Sequence, residues 1–235
     1  MLGSLTGGDL AFFVAIPIAI LLLLPVVWVG ASIWRPTMFV MNGHWEAARW
    51  AADRVEQSFL RSMPGALASA RYARSLAYHL EGDFERSLAT LPEKGELIEA
   101  GNLVMLTREP KRAVKLLEEI CARKDAAPED MVMLAVARHL AGKRTKAEEA
   151  FQRGGKVRPK NAPWPRLNEP VFHYLRGLYL VRVGRATEAE ADLRIAASSP
   201  VVTVYMQRAR ALLPPTSSAR DLEQRSSLDA QVMDE

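Results

Sequence analysis

Cysteine is almost missing: Cys121 stands alone in 235 residues, so no internal disulfide can form, and a reducing compartment suits the chain. No H-E-x-x-H run, paired-cysteine motif or glycine-rich dinucleotide loop occurs, which leaves the common zinc, redox and nucleotide chemistries without sequence support. The stretch Gly142-Lys-Arg-Thr145 lacks the upstream glycine of a phosphate loop and reads better as a turn between helices. N-x-S/T acceptors are absent too. A net charge of +4, from 31 Lys+Arg against 27 Asp+Glu, is too mild to call for a nucleic-acid partner. The four histidines, His44, His79, His139 and His173, show no metal-ligand spacing. No cofactor, metal or catalytic group is expected, and the chain reads as a non-enzyme.

Charge is absent from a whole segment. Residues 10–34 carry none, and 15 of the residues from Leu10 to Ile33 are Leu, Ile, Val or Phe. As a helix this run would measure roughly 37 Å at about 1.5 Å per residue, more than a bilayer core of about 30 Å. A cleaved signal peptide is a poor match, because the first nine residues hold no Lys or Arg and no A-x-A site follows. A transmembrane helix over 10–34 is therefore expected, preceded by a short extension over 1–9. Pro17 and Pro25 bend it, Trp28 and Trp34 form an interfacial belt, and Arg35-Pro36 is the expected stop. Only Asp9 precedes the run, whereas Arg35, Arg49, Arg54 and Arg61 follow it. The positive-inside rule then puts the N-terminus outside and the rest in the cytoplasm.

The remainder repeats. Gly43-His-Trp-Glu-Ala-Ala48, Gly82-Asp-Phe-Glu-Arg-Ser87, Arg108-Glu-Pro-Lys-Arg-Ala113, Gly142-Lys-Arg-Thr-Lys-Ala147 and Gly184-Arg-Ala-Thr-Glu-Ala189 align. Each opens on a turn-forming residue and has a small residue five places on. The intervals are 39, 26, 34 and 42 residues. Helical periodicity flanks each turn, with apolar residues at i, i+3, i+4 and i+7, and no stretch alternates with period two. Stacked helical hairpins follow from this pattern. Pro92 cuts one helix short, the span Leu91–Glu109 departs from the repeat, and Lys160–Pro170 reads as a foreign, proline-rich insert. An orphan helix over Gly43–Leu60 and a cap over Thr203–Leu213 complete the reading, and the polar tail 214–235 is expected to be disordered.

Two stretches make the resemblance specific: Arg74-Ser-Leu-Ala-Tyr-His-Leu-Glu-Gly-Asp-Phe-Glu-Arg-Ser87 and Arg176-Gly-Leu-Tyr-Leu-Val-Arg-Val-Gly-Arg-Ala-Thr-Glu-Ala189. Over residues 43–213 the chain resembles a tetratricopeptide repeat (TPR) protein. The Gly177-to-Gly184 interval matches that family's two small positions, and Ala147, Phe151, Gly155 and Pro159 match its second helix. The implied fold is all-α: one N-terminal transmembrane helix followed by a TPR-like α-solenoid of stacked helical hairpins.

The resemblance also implies a partner groove, formed by Tyr72, Leu76 and His79, by Val132, Val136 and His139, and by Tyr174, Leu178, Val181 and Arg182. Packing of several of these against neighbouring repeats is the alternative. A protein or peptide partner would use this groove, which makes the chain a membrane-anchored scaffold or assembly factor. An accessory subunit recognised mainly through its transmembrane helix is the second expectation. The basic stretch Lys143–Lys160 is either a contact for anionic lipid or an ordinary solvated face.

Overall fold

A computed structural model describes residues 27–124, 126–155 and 165–214. Among the described residues every regular element is a helix. The chain divides into two compact units, Met1–Glu109 and Pro110–Glu235.

In the first unit, α1 covers 27–41 and α2 covers Trp45–Gln57, followed by a 3₁₀ turn, Phe59–Ser62. Then come α3 (Pro64–Glu81), α4 (Phe84–Ala89) and α5 (Glu96–Leu106). Two expectations change here. Pro36 does not stop the first helix, which runs on to residue 41; a proline costs one backbone hydrogen bond, and burial of Pro36 and Val40 offsets that loss. Nor is the helix after Gly43 an orphan. Val29 and Ile33 of α1 pack on a core of Ala52, Val55, Leu60, Ala66 and Ala70, so α1 and α2 form the first hairpin. The irregular span 91–109 holds α5, whose apolar residues Ile98, Leu103, Val104 and Met105 follow Gly95, an N-cap at φ −108° and not a left-handed turn glycine. Of the expected transmembrane run, residues 10–26 lie outside the described residues. Among those described, no helix is long and apolar enough to cross a membrane.

Buried polar contacts tie this unit together. Ser75 Oγ donates to the Ser87 carbonyl at 2.9 Å, and Ser87 Oγ donates to the Ser75 carbonyl at 2.8 Å. Asn102 Nδ2 donates to Ser87 Oγ at 2.8 Å, while Asn102 Oδ1 lies 2.7 Å from His79 Nδ1. All four side chains are buried. Left unpaired, each would cost about 1–3 kcal/mol, so the network fixes the register of α3, α4 and α5. At the surface, Arg74 bridges Asp53 and Glu56 of α2 at 2.5 and 3.0 Å.

The second unit contains α6 (Pro110–Cys121), α7 (Pro128–Leu140), α8 (Arg144–Gly154), α9 (Pro165–Arg182), α10 (Ala186–Ala197) and α11 (Val204–Leu212). Pro128 opens α7 as expected, and Asp130 accepts the Ala127 N–H at 3.0 Å. Part of the supposed insert is helix: α9 begins at Pro165 and carries Pro170 inside it. Residues 156–164 lie outside the described residues, as does the tail from 215 on. The cap over 203–213 is α11, started by Thr203 Oγ1 accepting the Met206 N–H at 3.2 Å. A buried pair, His173 Nδ1 and Asp192 Oδ1 at 2.7 Å, joins α9 to α10, with Arg176 Nε 3.3 Å from the other carboxylate oxygen.

One local rule governs the turns. Gly43, Gly82, Gly142 and Gly184 have φ of 76°, 95°, 77° and 81°, the left-handed region that glycine enters without a Cβ penalty. The next N–H reaches back five residues: His44 to Phe39, Asp83 to Tyr78, Lys143 to Arg138 and Arg185 to Leu180, at 2.8–2.9 Å. The turn at Thr107 follows the rule without glycine. Thr107 takes the left-handed role (φ 56°), Arg108 N–H bonds Leu103 O at 3.0 Å, and Glu109 (φ 42°) is an added residue. The repeat alignment had placed this turn one residue too late. The small residues it singled out, Ala48, Ser87, Ala113, Ala147 and Ala189, are each 0% exposed.

Candidate functional site

The ten residues expected to line a groove differ in exposure. In the first unit, Tyr72 and Leu76 are half-buried on α3, and His79 is turned inward on Asn102. In the second, Val132 and Val136 are fully buried in α7, and Tyr174 is buried against Tyr205 of α11, with ring centroids 5.4 Å apart. Leu178 and Val181 are half-buried, and Arg182 is exposed. These positions have apolar side chains because the hairpins need a core, so four of the ten offer no surface. Repeat position alone cannot distinguish a lining residue from a packing one.

His139 and Arg182 do converge. They line a cleft of about 440 Å³ together with Arg144, Thr145, Glu148, Tyr179 and Val183. Each helix contributes an end: the last turn of α7 holds His139, the first turns of α8 hold Arg144, Thr145 and Glu148, and the last turns of α9 hold Tyr179 and Arg182. Tyr179 is the floor. Its ring stacks on Phe151 at 4.5 Å and meets His139 edge-on at 6.1 Å, and its hydroxyl donates to Glu148 Oε2 at 2.8 Å.

The charges are unequal. Glu148 is already engaged: Gln152 donates to it at 2.6 Å, Tyr179 donates too, and Arg185 lies 3.7 Å away. The Gln152 bond first, then Tyr179 and Arg185, hold its carboxyl below the usual carboxylate range. Burial and this hydrogen bond push the Tyr179 phenol up. Arg144 and Arg182, by contrast, have no ionic partner among the described residues. Burial, and then the fields of Arg182 and Arg144, lower His139 from the ordinary imidazole value, and its buried Nδ1 makes no hydrogen bond among the described residues. The N-cap of α8, Lys143, makes no side-chain capping bond, so the positive end of the helix dipole adds to the field. The cleft suits an acidic group.

Sequence reasoning placed Arg144 in a basic stretch and missed Tyr179. The matching positions five before Gly82 and Gly142, Ala77 and Ala137, are fully buried, as a core position would be. An aromatic where the hairpins turning at Gly82 and Gly142 have alanine is the available signal. Of the basic stretch, Lys143, Arg144, Lys146 and Arg153 are exposed; Lys156, Arg158 and Lys160 lie outside the described residues. Cys121 lines a separate recess with Met131, Arg138 and Arg153, and burial first, then Asp130, pushes its thiol up to about 11, which argues against a nucleophile. Among the described residues no three His, Cys, Asp or Glu side chains gather as metal ligands. No protein family, curated protein or solved structure matches the chain.

Proposed function

We propose that the chain is a membrane-tethered, non-enzymatic adaptor of the tetratricopeptide kind, which holds a protein partner through an acidic group seated between α7, α8 and α9. Residues 10–34 supply the tether as a transmembrane helix, and the arginines that follow it favour a cytoplasmic repeat domain. One observation carries the recognition half of this reading: Arg144 and Arg182 face a common cleft beside His139 and Tyr179 while Glu148 is satisfied by other groups. Two guanidinium groups without counter-ions favour a carboxylate, from an acidic side chain or a chain terminus, bound in paired hydrogen bonds. Tethering confines the partner search to the membrane plane and raises the effective concentration of membrane partners.

The test is a crosslinking pull-down from membranes with the full chain, with an Arg144→Gln, Arg182→Gln double variant, and with a version lacking residues 1–26, which keeps Val29 and Ile33 on their core. Loss of the captured partner in the charge variant, with retention in the truncated one, supports the cleft. Loss only on removal of residues 1–26 rejects it and favours a subunit built into a larger membrane assembly.

A further inference from the structure

Large side chains that a soluble domain would hide are exposed around α1. Trp28, Trp34, Trp50 and Phe59 are 57%, 60%, 54% and 63% exposed, and Met63 is 40% exposed. They occupy one region, because the chain doubles back. α1 leads away from the charge-free run, α2 returns, and the turn 58–63 comes to rest beside the residues where α1 began. Phe59 stacks on Trp28 with ring centroids 6.2 Å apart. On the other flank of α1, Met63 shares a groove with Ile33 and Trp34.

This fixes the level of the turn. Trp28 and Trp34 both belong to the charge-free run 10–34. A helix of that length exceeds the hydrocarbon core by roughly five residues, so its last five or so residues fall in the headgroup layer and Trp28 stands at the inner edge of that layer. Whatever is stacked on Trp28 lies at the same depth. The polar residues around it fit that layer. Arg35 and Arg61 are exposed without ionic partners among the described residues, and Arg54 lies over the Trp50 ring at 5.2 Å. The nearby acids Asp53 and Glu56 are paired with Arg74 and Arg71. A groove of about 300 Å³ between α1 and α2 is framed by Trp28, Trp50, Arg35 and Arg54, aromatic within and cationic at the edge, the pairing found at membrane interfaces.

We infer that the turn 58–63 is a second membrane contact: Phe59 and Met63 insert beside Trp28 and Trp34 into the interfacial layer of an anionic bilayer. The first hairpin then stands at a fixed attitude on the membrane instead of swinging from a single helix. This rests on the transmembrane reading of residues 10–34, and the experiment separates the two.

The full chain, with Cys121→Ser, is reconstituted in vesicles of phosphatidylcholine and phosphatidylglycerol. A nitroxide is attached to one new cysteine at a time: Leu22→Cys in the run, Phe59→Cys and Met63→Cys in the turn, and Lys146→Cys as an exposed reference. Collision with oxygen, which concentrates in hydrocarbon, is compared with collision with a water-soluble nickel chelate. The expected oxygen-to-nickel ratio is severalfold higher at 59 and 63 than at 146, and higher again at 22. A ratio at 59 and 63 equal to that at 146, with 22 deep, overturns the second contact and leaves the tether standing. Low collision with both reagents at 59 and 63 means another protein surface or a second copy covers the turn, which also overturns it. A water-like ratio at 22 removes the tether and the inference together.

Discussion

Gly177 of α9 lies so close to Leu193 of α10 that a β-carbon on it would stand 2.8 Å from both Cγ and Cδ2 of that leucine. The Ala189 carbonyl would lie at 3.4 Å. The two helices touch here through the absence of a side chain. Gly177→Ala is expected to destabilise the chain by about 1–3 kcal/mol, an overpacking cost. Gly142→Ala meets open space but places alanine at φ 77°, for about 1–2 kcal/mol. Asparagine tells the two apart in thermal unfolding followed by circular dichroism. It should recover most of the loss at 142, where it tolerates the left-handed region, and deepen it at 177.

Asn102→Leu removes the link between His79 and Ser87, two buried hydrogen bonds at once. We expect a loss of about 2 kcal/mol or more. Ser75→Ala, which removes one donor to the Ser87 carbonyl, should cost about half as much. Denaturant unfolding of the two variants beside the parent gives the order; equal effects would mean the network does not act as a unit.

His139 should titrate below its ordinary value of about 6.5, for burial first and for Arg182 and Arg144 second. A base lowered in the folded state binds its proton more readily when unfolded, so this residue's contribution falls as pH drops through the window below about 6.5. Arg182→Gln should move the folded value upward without restoring it, since burial remains. Following the imidazole proton resonance against pH measures both shifts.

Cys121, pushed up to about 11, is almost wholly thiol at pH 8. Its alkylation by iodoacetamide at that pH should be slower than that of a free cysteine by about two orders of magnitude. Rapid alkylation at pH 8, in chain otherwise folded by circular dichroism, would show that the recess around Cys121 is wetter than its packing indicates.

The hairpins were legible in the sequence because they rest on short-range rules. A left-handed residue must end the helix, and glycine fills that role at 43, 82, 142 and 184; a small residue must follow where the second helix crosses the first. The reading failed where those rules bend. Thr107 entered the left-handed region without glycine, so its turn was set one residue late. Pro36 and Pro170 lie within helices, where burial outweighs a lost hydrogen bond, a balance that composition does not reveal. The candidate cleft was the least legible part. His139, Glu148 and Tyr179 come from three helices, and only packing brings them together.

Each hairpin carries its own punctuation: a left-handed stop and a small residue a few places beyond it. Nothing in that grammar refers to the distance to the next hairpin, and the intervals of 39, 26, 34 and 42 residues between aligned turns show the licence this gives. Length can be gained or lost between hairpins without retuning either neighbour, whereas one residue gained within a hairpin would carry a bulky side chain into the crossing. The turn at 107–109 departs from that grammar: one surplus residue is taken in, and both Thr107 and Glu109 stand at positive φ. Insertions and tags therefore belong between hairpins, and a single-residue deletion inside one is the change this architecture resists most.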